Sequence, residues 1–236
     1  MTGPGTDVER GSAPGDGPVR SMTTGSWSED RLVDRYLDRI GGLAPRAAGE
    51  DVLVSLLPDH PRTVLDLGCG DGRLAALVLA ARPSVEHVVA VDSSPPMLRH
   101  AQERFGDENR VEVRAWDLEH PIDPLGTFDV IVSGFAIHHL GDGRKRALYA
   151  EVARALRPGG LFANLEVVAS ATPELHVEFT RLIGRAADDP EDRLADVESQ
   201  LAWMREAPMH QVDCLWRWRG FALLAGRGGP ERGGPR

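Results

Sequence analysis

Five short runs rich in β-branched and apolar residues occupy the middle of the chain. They are TVLDL (63–67), HVVAV (87–91), VEVRAW (111–116), DVIVS (129–133) and LFANLEVV (161–168). Helical patterns separate most of these runs, at 73–81, 95–105 and 144–156, but none is clear between the third and fourth runs. Strands that alternate with helices need crossover connections, which produce a parallel sheet covered on both faces. We therefore expect an α/β fold with a Rossmann-like, doubly wound sheet.

The two ends of the chain differ from this middle region. Residues 1–25 and 226–236 are rich in Gly, Pro, Ser, Thr or Arg and carry little that could be buried, which predicts disordered tails. Residues 26–225 are then expected to form one domain that begins with two helices over 26–60.

The last third of the domain has a different pattern. VDCLWRWR (212–219) and FALLAGR (221–227) flank Gly220 and predict a hairpin that closes one edge of the sheet. The segment 169–211 is expected to be a mostly helical insertion that forms a lid. Its acidic run, 188–198, is interpreted as a solvated helix face.

Charge and composition narrow the classes of function. The chain has 236 residues, with 36 acidic against 27 basic side chains and a net charge of -9, which argues against a nucleic-acid partner. No stretch is long and apolar enough for a membrane span or a signal peptide. Two cysteines are too few for a disulfide scaffold or a four-thiolate zinc site. We expect a cytoplasmic monomer or homodimer without membrane partners.

The segment VLDLGCGDG (64–72) joins a predicted buried strand to a helix that begins at Arg73. Glycines allow a tight turn and close approach of a ligand, and the helix N-terminus offers free N–H groups. A dinucleotide fingerprint fails if it starts at Gly68, but its relaxed form fits 70–75, so a nicotinamide cofactor stays open. Asp66 would repel a pyrophosphate and attract an ammonium group.

Two further acids follow the next two strands. Asp92 ends the second strand, where it could accept hydrogen bonds from ribose hydroxyls, and Asp117 follows the third, where it could accept from an exocyclic amine. Carboxylates at the ends of three successive strands favour a nucleoside with a cationic amino-acid arm over a phosphate chain.

Across about 62–225, the sequence resembles the class I S-adenosylmethionine-dependent methyltransferases. The blocks that carry the resemblance are DLGCGDG (66–72), VDSSPPML (91–98), AWDLEH (115–120), FDVIVSGFAIHHL (128–140) and LRPGGLF (156–162). The resemblance implies a seven-stranded sheet, mostly parallel with one antiparallel strand near an edge, and S-adenosylmethionine as cofactor. The cofactor-binding residues it implies are Asp66, Gly68, Cys69, Gly70, Asp92, Ser93, Met97, Asp117, Leu118, Ser133 and Gly134.

The acceptor side is less determined. His138 and His139 follow the fourth strand and Glu166 lies on the fifth, so these three are the catalytic candidates. Residues expected to bind the acceptor are Tyr36, His176, Trp203 and Trp216. No metal is expected, because nothing resembles the metal triad of catechol-type enzymes and His-His-Leu lacks the spacing of a zinc site.

These features favour methyl transfer to an oxygen, nitrogen or carbon atom of a small molecule, with specialised metabolism as the expected setting. One alternative is an RNA or protein methyltransferase, for which Arg217, Arg219 and Arg227 are the basic residues that hint at an acceptor face. A second is carboxyl or aminopropyl transfer from a related sulfonium. A non-catalytic S-adenosylmethionine-binding regulator and a nicotinamide dehydrogenase are the remaining hypotheses.

Overall fold

The fold is built on one mixed sheet, seen in a computed structural model that describes residues 30, 33–34, 36–37, 42–185 and 189–229. In these residues the sheet has seven strands, in the order β3-β2-β1-β4-β5-β7-β6. Their bounds are β1 Thr63–Leu67, β2 His87–Asp92, β3 Val111–Ala115, β4 Phe128–Gly134, β5 Leu156–Val167, β6 Met209–Trp218 and β7 Phe221–Gly228.

The strand directions confirm the predicted doubly wound topology. Strands β1 to β5 pair in parallel, while β7 is antiparallel to both β5 and β6. Strand β7 is therefore the single strand of opposite direction in the described sheet, as expected. The chain order reverses between β1 and β4, and the carboxyl ends of strands at such a switch point are where open α/β sheets bind ligands.

Six α-helices lie in the part of the chain that the structure describes. Their bounds are α1 Ala44–Leu56, α2 Arg73–Ala81, α3 Pro95–Phe105, α4 Asp142–Ala155, α5 Pro173–Leu182 and α6 Val197–Glu206. The predicted bounds of α2 and α3 match the structure. Helix α3 begins there because the Ser94 hydroxyl accepts a hydrogen bond from the Met97 N–H at 3.3 Å and prolines occupy its first turn. Residues 30, 33–34 and 36–37 are also helical, and the rest of the predicted first helix lies outside the described residues.

Helices cover both faces of the sheet, each with its own core. One face packs Leu148 of α4 and Met204 of α6 onto the strands. The other face packs Leu53 of α1 and Val78 of α2. Strands β1 and β4 are buried between these two cores, which explains their nearly continuous apolar sequences.

The structure corrects the boundary predicted for the C-terminal tail. Strand β7 continues to Gly228, so residues 226–228 belong to the sheet: Gly226 pairs with Phe162 and Arg227 with Leu161. Gly226 is closely packed, since an added Cβ would lie 3.2 Å from the Met209 sulfur. Residues 230–236, like residues 1–29, lie outside the described residues.

The segment 169–211 contains helices α5 and α6, but residues 189–196 between them are not helical. The interpretation of the acidic run as a solvated helix face is wrong at Asp192, whose side chain is 6% exposed and contacts His138. None of the described helices is long and apolar enough to cross a bilayer.

Candidate functional site

A cavity of about 300 Å³ lies at the carboxyl ends of β1, β2, β3 and β4, at the switch point of the sheet. Parallel strands end at one edge, so the loops after them converge there. The predicted cofactor residues that line it are Gly68, Cys69, Gly70, Asp92, Ser93, Met97, Asp117, Leu118 and Gly134. The structure therefore brings together nine of the eleven predicted cofactor residues.

The glycine loop after β1 forms one wall of this cavity. Gly68 has φ +66°, and a Cβ there would lie 2.2 Å from the Ala136 Cβ, so neither the conformation nor the space accepts a side chain. Gly70 has φ +54° with its nearest side-chain neighbour, the Met97 sulfur, 3.7 Å from an added Cβ. The first glycine is therefore fixed by close packing and the second by backbone conformation.

Asp92 ties the loops after β1 and β2 together. Its Oδ2 accepts a hydrogen bond from the Gly70 N–H at 2.9 Å, and its Oδ1 accepts one from the Ser94 N–H at 2.8 Å. Burial raises the pKa of Asp92, and these two hydrogen bonds oppose the rise. A carboxylate has about four lone-pair sites, so capacity remains for further hydrogen-bond donors such as two hydroxyls.

Asp66 lies behind the glycine loop and does not line the cavity. Its Oδ2 accepts a hydrogen bond from the Ala75 N–H at 3.0 Å, whereas its buried Oδ1 has no partner among the described residues. Burial raises the pKa of Asp66 to about 7, and the nearby Asp92 and Asp71 add to the rise. Burial therefore destabilises the ionised form of Asp66, and a nearby cation would stabilise it.

The wall after β3 offers a platform for a flat ring. Asp117 is exposed, and its Oδ1 accepts a hydrogen bond from the Glu119 N–H at 2.9 Å, while Leu118 is buried. Trp116 also lines the cavity, and its buried indole N–H has no partner within the described part of the chain. Sequence reasoning missed Trp116, although its position directly before Asp117 was a usable signal.

The wall after β4 differs from the expectation. Ser133 is fully buried and its hydroxyl donates a hydrogen bond to the Leu67 carbonyl oxygen at 2.8 Å. It therefore links β4 to β1 and does not line the cavity. Phe135 lines the cavity in its place, with φ +54°, a conformation that is rare for a bulky residue and common at functional sites. The guanidinium of Arg46 lies 5.3 Å from the centre of the Phe135 ring and also reaches the cavity.

Arg46 could not be recognised from the sequence as a residue of the site. It is buried and forms an ion pair with Glu50 at 2.8 Å, and Glu50 also binds Arg73 at 2.7 Å. In the sequence, Arg46 and Glu50 stand four residues apart in a helix, which is the spacing of an ordinary surface pair.

Of the three catalytic candidates, His139 lines this cavity, and His138 and Glu166 lie behind it. Nδ1 of His138 contacts Oε1 of Glu166 at 2.6 Å, and its Nε2 faces Oδ1 of Asp192 at 3.4 Å. The ring of His139 lies 4.1 Å from that of His138, centre to centre. The structure thus brings His138, His139 and Glu166 together and adds Asp192, which sequence reasoning missed.

The two adjacent histidines have opposite protonation preferences. Burial alone would lower the pKa of His138, but the carboxylates of Glu166 and Asp192 outweigh it and raise the pKa to about 9. Burial and the neighbouring His138 cation lower the pKa of His139 to about 4. His138 is therefore an imidazolium at pH 7, and His139 is a neutral imidazole.

His138, His139 and Asp192 offer possible metal-ligand atoms that lie within 4.8 Å of one another. Burial would raise the pKa of Asp192, but its contacts with His138 and, at 3.0 Å, with Arg185 outweigh burial and lower the pKa to about 2. With His138 protonated, two cations face the carboxylates of Asp192 and Glu166. This cluster therefore reaches charge balance without a bound cation.

A narrow second cavity of about 30 Å³ lies beside this cluster, and it shares Tyr36, Phe135 and His139 with the lining of the first. Of the four predicted acceptor residues, Tyr36 alone lines either of these cavities. His176 lines a separate surface depression beside Ser170.

The two predicted tryptophans are also corrected. Trp203 packs against the core under α4 and α6, and Trp216 packs against the opposite core, 3.0 Å from the position of a Cβ added to Gly49. Both rings cover apolar core surface instead of facing an acceptor.

Comparison with known proteins finds similarity to methyltransferases. Residues 64–160 match the family model of the methyltransferase domain. An uncharacterized methyltransferase of Mycobacterium tuberculosis is 39% identical over 124 residues, which is 52% of this chain and 58% of that protein. A trans-aconitate 2-methyltransferase of Azoarcus is 36% identical over 118 residues, which is 49% of this chain and 43% of that protein. The chain thus covers about half the length of these curated relatives.

A solved structure of human N-acetylserotonin methyltransferase in complex with S-adenosylmethionine shares the fold. Its TM-score is 0.63 at 16% identity, with 90% of this chain and 60% of that chain covered. The sheet order, the glycine loop, the carboxylates after the strands and the match over 64–160 lead to one assignment. Residues 64–160 match a methyltransferase domain, and the fold around them is that of the class I S-adenosylmethionine-dependent methyltransferases.

Proposed function

We propose that the chain transfers a methyl group from S-adenosylmethionine to a small-molecule acceptor whose reacting atom enters beside His139. The observation that carries the proposal is that two neighbouring cavities share lining residues, His139 among them. The larger one contains the glycine loop and Asp92, and the narrow one contains the histidine cluster. The relative named for trans-aconitate supports a small acceptor.

The residues around the larger cavity fit such a cofactor. Gly68 and Gly70 line the cavity without side chains, so only backbone faces a ligand there, and the orphaned Oδ1 of Asp66 suits the neighbourhood of an ammonium group. We assign the ribose hydroxyls to Asp92 and the adenine to the wall of Asp117 and Leu118, with Met97 packing on the nucleoside. S-adenosylmethionine, when bound, supplies an electrophilic methyl group on a sulfonium.

The histidines divide the work at the acceptor end. His139 is neutral at pH 7 and lines both cavities, so it can accept a hydrogen bond, and then the proton, from an O–H or N–H of the acceptor. A weak base suffices because the acceptor proton becomes strongly acidic as its atom gains the methyl group. His138 holds its own proton between Glu166 and Asp192 and is a positioning residue.

The charge on His138 also keeps its neighbour unprotonated. Repulsion between two adjacent imidazolium rings is one reason why the pKa of His139 is low. Glu166 therefore acts on the acceptor through two steps: it fixes the proton on His138, and His138 keeps His139 neutral.

The proposal is tested with methyl-labelled S-adenosylmethionine and a small-molecule extract of a bacterium, supplemented with trans-aconitate, a phenol and a primary amine. We expect the label in the small-molecule fraction, with the rate reduced at least about tenfold in His139→Ala. His176→Ala is the matched control, because His176 lies outside both cavities. Label in protein or RNA added to the reaction, with none in small molecules, would contradict the acceptor class.

A further inference from the structure

Lys145 is the single lysine among 27 basic residues of the chain. It lies on helix α4 and is fully buried. Lysine is rarely buried completely unless its ammonium group is paired, so its surroundings must satisfy three donors.

The partners of Lys145 come from two segments that meet at the histidine cluster. Its Nζ donates to the carbonyl oxygen of Leu140, directly after the turn Ile137–His139, and to the carbonyl oxygen of Arg193. The carboxylate of Asp142 lies 3.5 Å away. Three oxygens therefore face the three N–H donors of the ammonium group.

Both carbonyl partners are chain neighbours of the cluster. Leu140 follows His139, and Arg193 follows Asp192. A second link joins the same two segments, because the Arg193 N–H donates to the His138 carbonyl oxygen at 2.9 Å. The ammonium group thus sits where the segments that carry His138 and Asp192 meet.

We propose that Lys145 is a positioning residue of the acceptor site, which fastens the segment 189–196 to the turn 137–140 so that Asp192 reaches His138. The effect on catalysis rests on the function proposed above, whereas the positioning itself does not. An arginine would not replace it, because a planar guanidinium with five donors does not match three oxygens around one point charge.

The charged groups around His138 allow the proposal to be tested by the direction in which the pKa of His138 changes. Glu166 faces it from β5, Asp192 and Arg185 from the segments after α5, His139 from its own turn, and Lys145 approaches from α4. Loss of a nearby positive charge by itself would raise the pKa of His138. Loss of the contact with Asp192 would lower it.

The experiment is an NMR titration of the His138 imidazole in the wild type and in Lys145→Met, without cofactor or acceptor. We expect the pKa of His138 to fall by about one pH unit in the variant, because Asp192 is released. The fall should disappear in an Asp192→Asn background. Leu148→Ala is the matched control: this apolar residue is buried on the same helix, so the variant loses stability but keeps the hydrogen bonds of Lys145 to both segments.

An unchanged or raised pKa of His138 in Lys145→Met would overturn the proposal. If that variant does not fold, ¹⁵N-lysine labelling of the wild-type protein gives one ammonium signal, because the chain has one lysine. We expect that signal to exchange slowly with water and to shift in Asp192→Asn. Fast exchange of the ammonium signal with water, together with no shift in Asp192→Asn, would also overturn the proposal. This result does not depend on which molecule the protein methylates.

Discussion

Replacement of Glu166 by glutamine removes a charge from the most buried part of the acceptor site while keeping the size of the side chain. The carboxylate is fully buried and lies 2.6 Å from Nδ1 of His138. The pKa of His138 is raised to about 9 from its ordinary value of 6.5. At roughly 1.4 kcal/mol for each pKa unit, the protonated form contributes about 3 kcal/mol to the free energy of unfolding.

The sign of the pH dependence follows from the raised pKa. This contribution is complete below pH 6.5, where the unfolded chain is also protonated, and it is lost as the pH rises through 9. In Glu166→Gln, Asp192 alone opposes the effect of burial on His138. We therefore expect the variant to lose at least about half of this pH-dependent stability between pH 6.5 and 9.5.

Urea unfolding followed by circular dichroism at pH 6.5, 8 and 9.5 measures this difference. Glu198→Gln is the matched control, since Glu198 is exposed in the first turn of α6 and its replacement should leave the slope of the wild type. Parallel pH profiles of the wild type and Glu166→Gln would refute the claim that Glu166 holds the proton on His138.

Three further predictions concern the cofactor cavity. Gly68→Ala should lower the free energy of unfolding by at least about 2 kcal/mol, because the methyl would lie 2.2 Å from the Ala136 Cβ at a positive φ. Gly143→Ala has open space around it and should be neutral or stabilising, so equal melting temperatures of the two variants would contradict this prediction. Asp66→Asn should raise the free energy of unfolding at pH 8 by up to about 4 kcal/mol and leave it unchanged near pH 3, because the ionised form of the native carboxyl destabilises the fold only as the pH rises from 4 towards 7. The same variant should bind S-adenosylhomocysteine more weakly in calorimetry. A loss of stability at pH 8 would contradict this prediction. Trp116→Phe should change the free energy of urea unfolding by no more than about 1 kcal/mol, because the indole N–H it removes has no partner among the described residues; a much larger loss would show that the N–H is hydrogen-bonded.

The fold and the cofactor loops were predictable because their signals are local. Continuous apolar runs with β-branched residues indicate strands buried on both faces, and Pro95 after Ser94 indicates where α3 begins. The turn after β1 needs glycines at positive φ, which the sequence shows directly at Gly68 and Gly70.

The acceptor side depends on long-range pairing, for which the sequence holds no local pattern. Asp192 stands 192 - 138 = 54 residues after His138, inside an acidic run that is typical of a solvated surface. The aromatic character of Trp203 and Trp216 indicates that they pack against apolar surface but not against which face of the sheet. Ser133 lies in β4 and Phe135 follows the last residue of that strand, and only tertiary packing decides which of them lines the cavity.

The central claim, that the cavity at the switch point binds S-adenosylmethionine through Asp92, is tested most directly by calorimetric titration with S-adenosylhomocysteine. We predict one site per chain, a loss of at least about tenfold in affinity in Asp92→Ala, equivalent to roughly 1.4 kcal/mol, and wild-type affinity in the control Asp51→Ala, whose side chain is exposed on α1. NAD should give no binding heat. Binding of NAD without S-adenosylhomocysteine, or equal affinity of the wild type and Asp92→Ala, would contradict the account.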